Sequence, residues 1–215
     1  MIRTVSSCRL RYSIISPRIL RYSSVAEAMS ERRRGFERLF TDDADPWRFD
    51  TSRYEHDKRE ATMRALGQRR FGRAVEIGCA TGALTAQLAT VCDELLGLDL
   101  SETALAHARA RLAETPNVRL MRGEVPGDWP EGTWDLMVFS EVLYFLSAEE
   151  IAEVSRLAHR TLDAQGMCLL VNWTGPNDLP VDGRHAVEIF RTAAPWAQDE
   201  TRPAPRYRID RFTRS

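Results

Sequence analysis

VEIGCATGAL, residues 75–84, starts as a buried strand would and ends as a helix begins, with two glycines and two alanines packed into the bend. So few side chains let a ligand come close to bare backbone and to the amides of the helix start. Against G-x-G-x-x-G, the dinucleotide pattern, the residues are Gly78, Ala80 and Ala83, so two of the three glycines are absent. Against an acidic residue followed by G-x-G-x-G they are Glu76, Gly78, Ala80 and Gly82, and only the central glycine is exchanged. A carboxylate at Glu76 would repel a pyrophosphate and suits an amine or a sulfonium.

Working outward, the chain from Phe36 has the punctuation of an alternating α/β domain. Residues 55–66 read as a helix with Ala61, Met63 and Leu66 on a short apolar face. A strand over 73–77 leads through the bend to a helix from about Gly82 to Val91, and ELLGLDL forms a second strand ending at Asp99. Ser101 caps a helix with a Leu105, Ala108, Leu112 stripe. NVRLMRG and WDLMVF are the third and fourth strands. Ser147 and Glu150 form a capping box for a helix whose stripe is Ile151, Val154, Leu157, Ala158 and Leu162. MCLLVNW is a fifth strand after the Gly166 break, HAVEIFRTA a short helix, and YRIDRF an antiparallel edge strand. Strands alternating with helices imply a mainly parallel, doubly wound sheet, Rossmann-like in class, with ligands bound beyond the strands' carboxyl ends. Whether a further strand lies in the proline-broken stretch 195–205 is left open.

Composition bounds the function. A chain of 215 residues with 43% hydrophobic content can bury one substantial core. Residues 1–34 carry eight arginines against Glu27 and Glu31, so the overall charge of −1 leaves the remainder acidic by about seven, which argues against a nucleic-acid partner. Residues 1–35 are read as a basic disordered leader or tail, and residues 1–28 within it take one of three forms: an organellar transit peptide, a disordered arm, or an upstream extension of a chain starting at Met29. The four cysteines show no C-x-x-C pair and no metal-ligand rhythm, so no metal is expected; reduced thiols and a cytoplasmic location are. No apolar run is long enough to cross a bilayer, so no membrane partner is expected.

Two further acids stand at strand ends. Asp99, 23 residues after Glu76, either accepts both hydroxyls of a ribose or serves as an acid at a helix N-terminus. Glu124, past the third strand, either accepts an adenine's exocyclic amine while the Val125 amide donates to a ring nitrogen, or is a solvated loop acid.

Together these motifs, over roughly residues 36–173, resemble the class I S-adenosylmethionine-dependent methyltransferases. The resemblance implies S-adenosylmethionine as cofactor. Glu76 and the loop Gly78, Cys79, Ala80, Gly82 would line its amino-acid part, Asp99 with Leu100 the ribose, and Glu124 with Val125 the adenine; Ser140 completes the set. The room left by the missing side chains is then expected to hold the methionine end. SEVLYFL, 140–146, lies where the family faces its acceptor, and it lacks the N-P-P-Y-like signature of enzymes that methylate nucleic-acid bases. Glu141 is the expected base and Tyr144 the expected acceptor-positioning group.

DPWRFDTSRYE (45–55), SEVLYFL and NWTGPNDLPVDG (172–183) resemble the nodulation protein S group, whose members N-methylate a deacetylated chito-oligosaccharide end. This implies a single domain over 36–215 with 36–70 as a helical lid, Trp47, Arg53 and Tyr54 bordering the site, and a small-molecule or oligosaccharide acceptor. His185 either touches the acceptor or is structural. Two other functions stay open: a non-catalytic S-adenosylmethionine-binding module and a dinucleotide-dependent oxidoreductase.

Overall fold

A computed structural model describes residues 25–177, 179 and 181–215. In chain order the elements are α1 (Val25–Asp42), α2 (Arg53–Leu66), β1 (Phe71–Ile77), α3 (Ala83–Leu88), β2 (Cys92–Asp99), α4 (Glu102–Arg111), β3 (Val118–Arg122), β4 (Trp134–Ser140), α5 (Ala148–Thr161), β5 (Leu162–Trp173), α6 (Gly183–Ala193), β6 (Trp196–Pro203) and β7 (Tyr207–Arg214). Seven strands form one sheet in the order β3-β2-β1-β4-β5-β7-β6. β1 to β5 run parallel, and β7 is antiparallel to both of its neighbours. This is the mainly parallel class I methyltransferase architecture expected from the sequence. The strand order reverses between β1 and β4, which is where such sheets open a crevice for ligands.

The central strands are apolar on both faces because helices cover both. Along β4, Met137 and Phe139 join a core with Phe36, Ile151, Val154 and Phe190, while Leu136 and Val138 join another with Leu66, Leu88 and Ile209. Caps fix where the helices begin. Ser52 accepts from Glu55 N, Ser101 from Ala104 N, and the Ser147–Glu150 capping box closes in both directions.

The sheet departs from expectation at its margins. Residues 25–35, expected within the leader or tail, belong to α1, and Arg32 in that stretch is buried. The reading of residues 1–24 lies outside the described residues. The helix expected over 82–91 is shorter, giving way to a 3-10 turn at Ala89–Val91. The stretch left open at 195–205 is β6, an edge strand with Pro195 just before it and Pro203 as its last residue, positions where a missing N–H costs the sheet little. Among the described residues no helix is long and apolar enough to cross a membrane.

Candidate active site

One cleft opens along the carboxyl ends of β1, β2, β3 and β4, roofed by α1, the 43–52 segment and α2. Its floor is the bend after β1. Gly78 N and Cys79 N both donate to Leu98 O, at 2.8 and 3.1 Å, tying the bend to the end of β2. Asp99 fixes it further: one carboxylate oxygen accepts from Ala80 N at 2.9 Å and the other from Ser101 N at 2.9 Å. Burial pushes the Asp99 carboxyl up to about 6 against those hydrogen bonds. Glu76, 1% exposed, accepts from the Thr85 hydroxyl at 2.6 Å and is pushed up by burial to about 8, so it is largely neutral at neutral pH.

The glycines serve the chain's own packing. Gly78 has φ +85°, and a Cβ there would stand 2.3 Å from Val142 Cγ2 and 2.7 Å from Ser140 O. Gly82, φ +79°, sits against Leu112 and Ala108 of α4 and does not line the cleft. At these two positions neighbouring residues exclude a side chain, while Gly78 still presents its backbone to the cleft. Ala80, in the place of the usual central glycine, holds φ +46°, a conformation costly for a residue with a Cβ.

At the β3 end, Glu124 is 3% exposed and is no solvated loop acid. Its Oε1 accepts from Arg32 Nε at 2.7 Å, and Arg32 also grips both oxygens of Glu150. Glu124 Oε2 makes no hydrogen bond, with Arg33 Nε 3.8 Å away. Burial raises the Glu124 carboxyl, opposed by the Arg32 charge.

The β4 end carries a second charged cluster. Glu141 has φ +61°, a strained turn out of the strand. Its Oε1 accepts from Lys58 Nζ at 2.8 Å, and its Oε2 from Trp173 N at 2.8 Å and from the Tyr144 hydroxyl. Lys58 also bonds Glu55, 3.1 Å away, whose carboxyl burial raises.

Of the residues expected in the site, Trp47, Glu76, Gly78, Cys79, Ala80, Asp99, Leu100, Glu124, Val125, Ser140, Glu141 and Tyr144 line the cleft. Arg53 and Tyr54 do not. The Arg53 side chain is 94% exposed beside Asp57, and the Tyr54 ring packs edge-on against Trp173 and Tyr207. The reason is helical phase: α2 turns Glu55, Lys58, Arg59 and Thr62 to the cleft, an i, i+3, i+4, i+7 stripe that excludes 53 and 54. That polar stripe was the missed signal, because the helix was read for its apolar face alone. Arg32, on α1, lines the cleft and was also missed. His185 is exposed in the first turn of α6, away from the cleft, with its backbone N–H on the capping Asp182.

The nodulation protein S family profile matches residues 31–162. The chain belongs to the nodulation protein S family. The match covers the helical roof as well as the four strands that build the cleft. Nodulation protein S of Sinorhizobium fredii is 34% identical over 116 residues, 54% of this chain and 53% of its own length. The chain thus spans about half the length of the curated relatives it matches. Among solved structures, a putative methyltransferase from Pseudomonas syringae is 32% identical with TM-score 0.66, over 75% of this chain and 99% of its own. The N-methyltransferase NodS from Bradyrhizobium japonicum in complex with S-adenosyl-L-homocysteine shares the fold, with TM-score 0.74 at 22% identity over 84% and 96% of the two chains.

Proposed function

We propose that this member of the nodulation protein S family transfers a methyl group from S-adenosylmethionine to an amine nitrogen of a small-molecule or oligosaccharide acceptor. The observation that carries the reading is one cleft in which three buried carboxylates, Glu76, Asp99 and Glu124, follow one another at the ends of β1, β2 and β3. The orphaned Oε2 of Glu124 suits an adenine's exocyclic amine. Asp99 receives the ribose hydroxyls, Glu76 faces the amino-acid end, and Trp47, Cys79, Ala80, Leu100, Val125 and Ser140 supply the walls.

S-adenosylmethionine supplies the activated methyl on its sulfonium, while the protein contributes alignment and exclusion of water. The acceptor arrives as R–NH3+ and must become R–NH2 before its nitrogen can attack. Glu141 receives that proton. Three of its roughly four lone-pair positions are occupied by Lys58, Tyr144 and Trp173 N, and the position left on Oε1 can take the acceptor's N–H. Tyr144, held on Glu141, positions the acceptor. The buried free thiols Cys79, Cys92 and Cys168 fit a cytoplasmic location.

Two measurements test this together: calorimetric binding of S-adenosylhomocysteine, and transfer of labelled methyl from S-adenosylmethionine to a glucosamine oligomer. Binding with transfer to nitrogen is expected. A folded protein that binds NADH and not S-adenosylhomocysteine would end the reading.

A further inference from the structure

Arg32 lies on α1, outside the strand-and-glycine framework, yet it is 2% exposed and points inward to the cleft. Its guanidinium satisfies two buried carboxylates at once. Nε donates to Glu124 Oε1 at 2.7 Å, and Nη1 and Nη2 donate to the two oxygens of Glu150 at 3.0 and 2.7 Å. Nη1 also reaches Phe145 O at 3.3 Å. Glu150 in turn accepts from Ser147 N as the closing member of the α5 capping box. The fork therefore ties Glu124 to a helix start that is closed by its own capping box. Five residues along α1, Glu37 does the same for α4: its carboxylate accepts from Glu102 N at 2.9 Å and Thr103 N at 3.2 Å.

Only one oxygen of Glu124 is thereby consumed. Oε2 is buried, makes no hydrogen bond and has Arg33 Nε 3.8 Å away, and Glu124 lines the cleft, so this oxygen keeps an acceptor position that a ligand's N–H can complete. We propose that Arg32 is a positioning residue that sets nucleobase selectivity, holding Glu124 in an ion pair and turned so that Oε2 accepts the exocyclic amine of adenine and rejects a ring bearing a carbonyl there. The inference rests on the S-adenosylmethionine reading of the cleft. Without Arg32, Glu124 and Glu150 would be two buried carboxylates with one counter-charge fewer, and a carboxyl that takes up a proton can donate to a carbonyl as readily as it accepts from an amine.

The test compares S-adenosylhomocysteine with its 6-oxo analogue, S-inosylhomocysteine, by calorimetry on wild type, Arg32→Met and Arg32→Lys, with melts showing each protein folded. Wild type should prefer the adenine ligand at least tenfold. Arg32→Met should reduce that preference to near onefold. Arg32→Lys, a point charge that cannot fork between two carboxylates, should cut it at least threefold and provides the answer if the Met variant fails to fold. Both ligands weakened equally by either variant, with the preference intact, would make Arg32 merely structural and overturn the proposal. A wild type that binds both ligands equally would overturn it too while leaving the cofactor reading standing; one that binds neither would remove both.

Discussion

Asp99→Asn tests the chemistry of the cleft most directly: size is kept, the charge is lost, and one acceptor becomes a donor that faces the Ala80 or Ser101 N–H. In the proposed site the carboxylate receives ribose hydroxyls while its oxygens also hold the Ala80 and Ser101 amides. Losing a hydrogen bond to a charged group costs about 1.5–3 kcal/mol, so S-adenosylhomocysteine should bind the variant about 10- to 100-fold more weakly at pH 8. That handicap must shrink in acid. Burial has lifted the wild-type carboxyl to about 6. The anion that binding needs is therefore complete well above that value and is lost as pH falls through it. By pH 5 only about a tenth of the wild-type carboxyl is ionised, and the ratio of the two dissociation constants should drop about tenfold from its value at pH 8. Taking the ratio removes titrations common to both proteins; that of Glu76, which the Asp99 charge helps to raise, is not one of them, so the series is repeated in a Glu76→Gln background. Calorimetry at pH 5, 6, 7 and 8, with melts to confirm folding, reads it out. A ratio that stays constant with pH, or that is near one at pH 8, would refute both the ribose assignment and the buried-acid argument.

Further outcomes follow from the same contacts. Lys58→Met leaves the buried Glu55 and the half-buried Glu141 without their shared ammonium. It should cost about 3–5 kcal/mol and lower the melting temperature by roughly 10 °C, with Glu55→Gln in the same chain restoring part; an unchanged melting temperature would count against the cluster. Gly78→Ala forces a Cβ into Val142 and Ser140 O at φ +85° and should cost about 3 kcal/mol or more. Adding Val142→Ala should recover only part of that in urea denaturation, because Ser140 O is backbone; full recovery would show that the carbonyl contact is unimportant. Glu76, raised to about 8, favours the ligand-free fold below its ordinary carboxyl range, and that contribution is lost as pH rises toward 8. Wild type should thus lose on the order of 2 kcal/mol more than Glu76→Gln between pH 6 and pH 8 in urea titrations, and parallel curves would contradict the burial argument.

What the sequence by itself determined was the sheet apart from its edge strand β6, the direction of the other strands and the acids at their ends. Apolar runs, the Ser101 and Ser147 caps and the 75–84 bend are local signals, each decided within a turn or a strand of chain. Glu76, Asp99 and Glu124 inherit their places from those strands, so they were legible too. The helical lead-in was legible as helix but not in phase, and Arg53 and Tyr54 therefore fell on the wrong side of α2. Only the tertiary structure decided what each charge meets. Arg32 finds Glu124 and Glu150 across 92 and 118 residues, and Lys58 finds Glu141 across 83. Such pairings depend on where α1 and α2 dock on the sheet, which no local pattern encodes. The glycines divide along the same line: their positions mark the bend in sequence, but that Gly78 yields its space to Val142 and Gly82 to α4 is a property of packing alone.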